Sequence, residues 1–440
     1  MPRGSRPSKP SFPPQTLVID NGAYNIKAGF ATEHANHSQC RITPNCIARA
    51  RDRRVWIGSQ LEGCRDFGEM AFRRPVEKGY VVNWESEKAV WEHEFFGDDA
   101  KLKAETVKCD PSNTNLILTE APNSPAALQA NCDQMVFEEF EFASYLRILG
   151  PSLNAYNNIP SLFSDSVSPS QFPPTEYLLL VDSGYSHTTI TPLHKGRPFH
   201  SAIRRLSVGG KFLTNYLKEL ISLRHLNFMD ETHLVNEIKE DVCFVSSQFP
   251  TDLERVWTRT NKPVDTSVVV DYILPDYTDR QRGYARPHDP SAAAKAKRLG
   301  MSGGPKEDIL PLGNERFAVP ELLFNPLDIG LQEPGIPDAI LQSLQQLPEG
   351  LWPAMLANIV VVGGNSLIPG FMERLEAELR SIMPGEWPLR VRRPDDPITY
   401  TWLGGVKLAQ NAELLKGLAV TREDYLENGS NWLARKFSSG

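Results

Sequence analysis

Three short apolar runs punctuate the chain, residues 16–20 (TLVID), 177–182 (YLLLVD) and 359–362 (IVVV). Each runs into a glycine turn: Asn21-Gly22, Ser183-Gly184 and Gly363-Gly364. Continuous rather than alternating apolar character predicts strands buried on both faces. Phe371, Leu375 and Leu379 recur at helical spacing behind Pro369, which predicts an amphipathic helix over residues 370–383. Val235, Ile238 and Val242 predict another. Residues 126–149 read as a longer helix, ended by Gly150-Pro151 because proline disfavours helix in the residue before it. Strands alternating with helices predict an α/β architecture.

Three segments depart from this pattern. Residues 1–14 carry Arg3, Arg6 and Lys9 among five prolines and no acid, the composition of a disordered basic tail. Residues 161–174, rich in Ser and Pro, predict a surface loop. Residues 277–312 hold Arg280, Arg282, Arg286, Lys295, Lys297, Arg298 and Lys306 among Gly, Ala and Pro. They predict a basic insertion, either a binding element or a disordered connection.

Composition narrows the function classes. The 440 residues carry a net charge of -7, which gives no long-range attraction to phosphate backbones and disfavours an autonomous nucleic-acid-binding module. That charge is uneven: residues 1–14, 49–54 and 279–306 contribute +3, +3 and +5, leaving -18 on the rest. An acidic body with three basic segments predicts local phosphate contacts within a larger assembly. No apolar run reaches the roughly 18 residues needed to span a bilayer, and the N-terminus lacks a signal-peptide core. Six cysteines without a CxxC read as reduced thiols, so a soluble nuclear or cytosolic protein is expected.

The chemistry lies in a weak internal repeat, a strand followed by Asp20-Asn21-Gly22 and again by Asp182-Ser183-Gly184. A buried strand ending in Asp before a glycine turn presents backbone N–H groups beside a carboxylate, a combination that can hold a phosphate and its Mg²⁺. Lys27 could supply a compensating cation. By itself the D-[NS]-G triplet is a common turn.

The surrounding text carries more. LVIDNGAYNIKAGFA, LILTEAP, LLLVDSGY, LSVGGKFLTNYL, NEIKEDVCFVS, GNERFAVPELLFNP, VVVGGNSLIPGF and ITYTWLGG resemble actin, in the same order along the chain. NERFAVPELLFNPLDIG, VDSGY and VTREDYLENG resemble the actin-related protein six family, subunits of the Swr-type histone-exchange chromatin remodeller. The resemblance implies a duplicated, ribonuclease-H-like, two-lobed fold, each lobe on a five-stranded sheet, with a nucleotide cleft between. One lobe would comprise residues 15–157 with 399–440, the other residues 176–398 with the insertion at 277–312. It further implies that Asp20, Gly22 and Lys27 line the first phosphate turn, Asp182 and Gly184 the second, Lys239 and Glu240 the adenosine pocket, and that Gly363 and Gly364 close over the base and α-phosphate.

Departures from actin's pattern concentrate in that cradle. Tyr24 stands for a glycine and Ala23 for a serine of the first turn. Tyr185 and Ser186 replace Asp-Gly in the second turn, and Thr189 a histidine. Bulky side chains obstruct phosphate where glycine allows close approach. Actin's water-orienting glutamine matches Gly150, and no glutamine occurs from Met135 to Asn158. The loop between Arg49 and Val55 is shorter than the one actin uses for filament contacts.

Other constellations read as structural. His34, His37, Cys40 and Cys46 lack a zinc spacing, and no metal site is expected. Glu138 and Glu139 point about 100° apart on a helix, as on a solvated face. Trp84, Trp91 and Phe95 suit core packing. The expectation is thus a scaffold subunit without catalytic residues, and no cofactor or at most weak ATP or ADP with Mg²⁺. Its implied partners are a Swi2/Snf2-type motor subunit, a zinc-finger HIT-domain subunit, and nucleosomal DNA or histones, with neither membrane nor filament. Its implied place is the nucleus, also the cytoplasm. The rival reading is an actin-fold ATPase resembling sugar kinases or chaperones, or a nucleotide-binding actin homologue.

Overall fold

The computed structural model describes residues 13–96, 107–164, 175–225, 227–256, 266–289 and 307–438. The basic tail up to residue 12, loop residues 165–174 and insertion residues 290–306 lie outside the described residues.

Among the described residues two main sheets of six strands each are built from β1 (Gln15–Asn21), β2 (Asn25–Phe30), β3 (Arg41–Pro44), β4 (Thr114–Glu120), β5 (Ser144–Leu149), β6 (Tyr177–Ser183), β7 (Thr188–His194), β8 (Ile359–Val362), β9 (Val391–Arg392) and β10 (Val420–Thr421), with the short strands Arg197–Pro198 and Arg204–Leu206 both pairing with β7. The first sheet has the order β10-β5-β4-β1-β2-β3 and the second β7-β6-β8-β9, extended beyond β7 by Arg197–Pro198. In both, an antiparallel hairpin continues into parallel strands, so β2-β1-β4-β5 repeats as β7-β6-β8-β9. The repeat seen in two Asp-Gly turns is therefore a duplication of topology. The first sheet has six strands rather than five because β10, near the C-terminus, pairs antiparallel with β5.

Successive side chains on a strand point to opposite faces, and both faces of each sheet are covered. Leu17, Ile19, Leu116 and Leu118 pack under Trp91, Phe95 and Phe137, whereas Val18, Ile117 and Leu146 pack against Trp402 and Val406. Leu179, Val181, Ile359 and Val361 likewise enter the large core of the second lobe, while Leu178, Leu180, Val360 and Val362 face Ile159 and Tyr400. Two-sided burial is the reason these strands read as unbroken apolar runs. The helix expected from Phe371, Leu375 and Leu379 spans Phe371–Ile382 with those three side chains buried. Thr232–Val242 buries Val235, Ile238 and Val242.

One expectation fails. Residues 126–149 are not one helix: helix Ala126–Gln134 passes into a π-helical turn, Met135–Glu139, and the chain then reverses at Glu141 (φ 59°) into β5. A fully buried strand has no alternation to separate it from a helix of equal apolarity. Gly150-Pro151 accordingly opens the helix Gly150–Asn154, with proline in its first turn. In the region 277–312, read as either a binding element or a disordered connection, the described residues Tyr284–Pro287 and Ile309–Leu312 flank Val270–Ile273 in an antiparallel sheet, while 290–306 lie outside the described residues. Arg280 and Arg286 pair with Glu307, and Arg282 pairs with Asp241.

The helix Tyr400–Gln410 lies on Gly150–Asn154 at such close range that a Cβ on Gly404 would sit 2.0 Å from the Leu153 carbonyl oxygen. Gly404→Ala is expected to force the helices apart and to lower unfolding free energy by about 1–3 kcal/mol, as overpacking does. Urea denaturation checks this; a parent-like midpoint would mean that the helix pair yields freely.

Candidate functional site

The two Asp-Gly turns face each other across a cleft of about 640 Å³. All nine residues singled out from the sequence line it: Asp20, Gly22, Lys27, Asp182, Gly184, Lys239, Glu240, Gly363 and Gly364. Asp20 and Asp182 come from strand ends that run into glycine turns, Lys27 from within β2, and Lys239 and Glu240 from the helix Thr232–Val242.

Duplicated positions have diverged in charge. Asp20 stands opposite Lys27 in the β1–β2 register, and its carboxylate accepts from Lys27 Nζ (3.0 Å) and Thr119 Oγ1 (2.9 Å). Burial opposes the charged form of Lys27, but the Asp20 carboxylate outweighs it and holds the ammonium above its ordinary value. Asp182 occupies the same place in the second hairpin and stands opposite Thr189, which carries no charge. Burial, reinforced by Asp20 and only partly offset by Lys27, pushes the Asp182 carboxyl up to about 6. One lysine thus serves two carboxylates.

The second turn is tied to the helix that follows it. Gly184 N–H donates to the His187 carbonyl (3.1 Å), and the turn's Gly184 and Tyr185 carbonyls accept from Gly210 N–H (3.0 Å) and Lys211 N–H (2.7 Å). Gly363 takes φ 91°, and a Cβ there would meet the Ser183 oxygen at 2.3 Å, so glycine is required where β8 passes the second turn. Lys239 is buried and donates to Gly210 O, Thr214 Oγ1 and Asn236 Oδ1 (3.3, 3.0 and 2.9 Å), with burial lowering its pKa. It therefore orients Asn236, whose Nδ2 donates to Glu240 Oε1 (2.8 Å) and to the Tyr24 hydroxyl (3.2 Å).

Tyr24, from the first turn, meets Tyr185, from the second, with ring centroids 4.7 Å apart. The Arg74 guanidinium lies 4.3 Å from the Tyr24 centroid and 5.2 Å from that of Tyr185, and Arg74 Nη1 donates to the Tyr24 carbonyl (2.9 Å). Burial raises the Tyr24 hydroxyl to about 12, so it stays protonated. Further bridges seal the same mouth. Arg205 donates to the Tyr80 hydroxyl (3.0 Å) and the Lys78 carbonyl, and Phe67 stacks on His233 at 4.1 Å. His187 packs beside Gly79, and burial lowers its pKa to about 3, so its ring is neutral. Sequence reasoning marked Tyr24 and Tyr185 as obstructions and missed Arg74, Arg205, His187 and Asn236. No spacing rule flags these four, because each acts across the cleft on residues remote in the chain.

Around the two turns, Lys27 is thus ion-paired with Asp20, and two phenol rings and a guanidinium from Tyr24, Tyr185 and Arg74 meet where the turns face each other. Gly150 lines the cleft without a side chain, its Cβ position 3.7 Å from Thr401 Cγ2. Among the described residues no group of His, Cys, Asp and Glu is arranged to hold a metal ion. His37 instead pairs with Thr399 (2.6 Å). Glu138 accepts from Tyr425, Glu139 pairs with Lys88, and Trp91 and Phe95 are core residues.

The Asp182 shift sets a pH dependence. Its folded-state carboxyl binds a proton more tightly than the ordinary value of 3.8, so folding stability falls as pH rises from about 4 to 6 and stays lower above. Asp182→Asn removes that penalty. It is expected to be more stable than the parent by about 1–3 kcal/mol at pH 8, with the difference vanishing near pH 4, in urea titrations across that range. A pH-independent difference would contradict the assigned ionisation.

Comparison with known proteins agrees with this geometry. Residues 13–438 match the family model described as Actin. "Actin-like protein arp6" of Emericella nidulans is 52% identical, over 97% of this chain and 96% of the relative. "Actin-related protein 6" of Neurospora crassa is also 52% identical, over 99% and 97%, and that of Drosophila melanogaster is 36% identical, over 94% and 97%. A two-lobed α/β fold with duplicated Asp-Gly turns and these near full-length matches lead to one conclusion: the chain belongs to the actin family and, within it, groups with the actin-related protein 6 relatives.

Proposed function

We propose that this chain is a non-catalytic scaffold subunit of a nuclear ATP-dependent remodelling complex that exchanges histone variants in nucleosomes. The observation that carries the non-catalytic part is the Tyr24–Arg74–Tyr185 stack, which takes up the space between the two turns with side chains from both lobes. The histone-exchange part rests on the resemblance to the actin-related protein six family. In this reading ATP turnover belongs to a Swi2/Snf2-type motor partner. The chain meets that motor, a zinc-finger HIT-domain subunit and nucleosomal DNA or histones, in the nucleus with a further pool in the cytoplasm. ATP or ADP with Mg²⁺ binds weakly or not at all, and the chain forms no filaments. The rival ATPase reading needs a group to orient the attacking water, and Gly150 supplies none.

Thermal melting tests the cleft directly. A ligand at 100 times its Kd adds about 2.7 kcal/mol to stability, and millimolar Mg-ATP is expected to add less than about 0.5 kcal/mol to the parent. The double variant Tyr24→Gly, Tyr185→Gly is expected to gain a measurable Mg-ATP shift. A large shift in the parent would restore the ATPase reading.

Affinity purification of the tagged full chain tests the assembly. It should recover a Swi2/Snf2-type motor whose ATPase responds to nucleosomes, while the chain alone hydrolyses no ATP. Recovery without any such motor would overturn the scaffold assignment.

A further inference from the structure

A second cavity, of about 540 Å³, opens well away from the cleft. It lies in the small sheet formed by Ile47–Arg49, Val55–Ile57 and Ala71–Arg73 and in the turn Gly58–Gly63 that follows. Its wall includes Arg51, Arg54, Arg65, Asp52, Asp66 and Trp56. This is the segment whose +3 charge led the sequence reading to phosphate contacts.

We infer that this pocket is a docking site for an acidic peptide segment of a partner protein. The carboxylates within it have structural tasks. Asp66 Oδ1 accepts from Gly68 N–H (2.9 Å), and Asp52 Oδ1 accepts from Arg54 N–H (3.0 Å), each pinning its own loop. The arginines are held loosely. Arg51 pairs with Glu69 at 3.3 Å with side-chain exposures of 80% and 57%, and Arg54 pairs with Asp52 at 3.1 Å with exposures of 75% and 55%. Such exposed pairs contribute little and exchange readily for an incoming carboxylate. Arginine forks suit carboxylates in bidentate geometry.

A further unused group lies within the same wall. Trp56 Nε1 is buried and has no hydrogen-bond partner, so its N–H is an unsatisfied donor in a residue that lines the pocket. Arg53 holds φ 68° at the hairpin tip, which fixes how the neighbouring arginines project.

Shape and charge pattern favour a peptide over a nucleic-acid duplex. Asp52, Asp66 and Glu69 are interleaved with the arginines, so a continuous row of phosphates would meet both signs of charge. Separate carboxylates on a peptide can instead be set one against each arginine, with the backbone reaching Trp56. A volume of about 540 Å³ matches a few peptide side chains and not a helical groove.

Fluorescence anisotropy with the full chain and a fluorescein-labelled peptide of alternating glutamate and glycine, about ten residues long, tests the site. Saturable binding is expected, weakened about tenfold or more by R51E combined with R65E. Trp56→Phe, which keeps the ring and removes the N–H, is expected to weaken it about threefold or more. Arg197→Glu, a charge reversal on the other lobe, is expected to leave binding unchanged. Thermal melts of the arginine variants should match the parent, so that they report on the site even if Trp56→Phe unfolds. Absence of saturable binding, or an equal loss with Arg197→Glu, would overturn the inference. So would a short DNA duplex that binds more tightly than the peptide and is lost through the same substitutions.

Discussion

Two tyrosines, their rings tilted against each other, and an arginine over both join the two lobes across the cleft. Tyr24 belongs to the first lobe and Tyr185 to the second, and Arg74 lies against both rings. Each contact is modest by itself, since an aromatic pair contributes about 0.5–1.5 kcal/mol beyond its buried area. Their position gives them weight, because they join the two turns that face each other across the cleft. The Asn236 amide, steadied by Lys239, joins the same contact through the Tyr24 hydroxyl.

Closure in turn decides the electrostatics of the floor. Two carboxylates, Asp20 and Asp182, lie under the stack with Lys27 between them. A divalent ion would satisfy both, whereas one ammonium bonded to Asp20 leaves Asp182 short of positive charge. The raised Asp182 pKa is the physical trace of that deficit. Duplication placed the two aspartates symmetrically, and divergence at Lys27 and Thr189 broke the charge symmetry while keeping the backbone register.

The resemblance and the physical reading meet at different depths. Actin-family membership explains why two hairpins and two parallel extensions recur around a cleft. It does not explain the side chains that fill it. In the small sheet of the first lobe, the hairpin between Arg49 and Val55 ends in a tight turn beside an arginine-lined pocket.

Much of the framework was legible in the sequence because it depends on local and periodic properties. Buried strands are continuous in apolarity, as at β1, β6 and β8, and tight turns need glycine, as at Gly363 with φ 91°. Helix Phe371–Ile382 announced itself through a period that only a helix satisfies. β5 was misread because burial on both faces erases the alternation that marks a strand, and its neighbours β4 and β10 are remote in the chain. Around Arg286 composition left two readings open, because strand pairing with Val270–Ile273 and the Glu307 carboxylate depend on contacts that composition does not encode. By itself the sequence determined that two Asp-Gly turns exist and that bulky residues sit in them. Only the tertiary structure decided that those residues grip each other, that Lys239 steadies an amide, and that Lys27 serves two carboxylates. Such facts arise from distances between groups far apart in the chain, where charge, burial and ring packing act only after the lobes have closed.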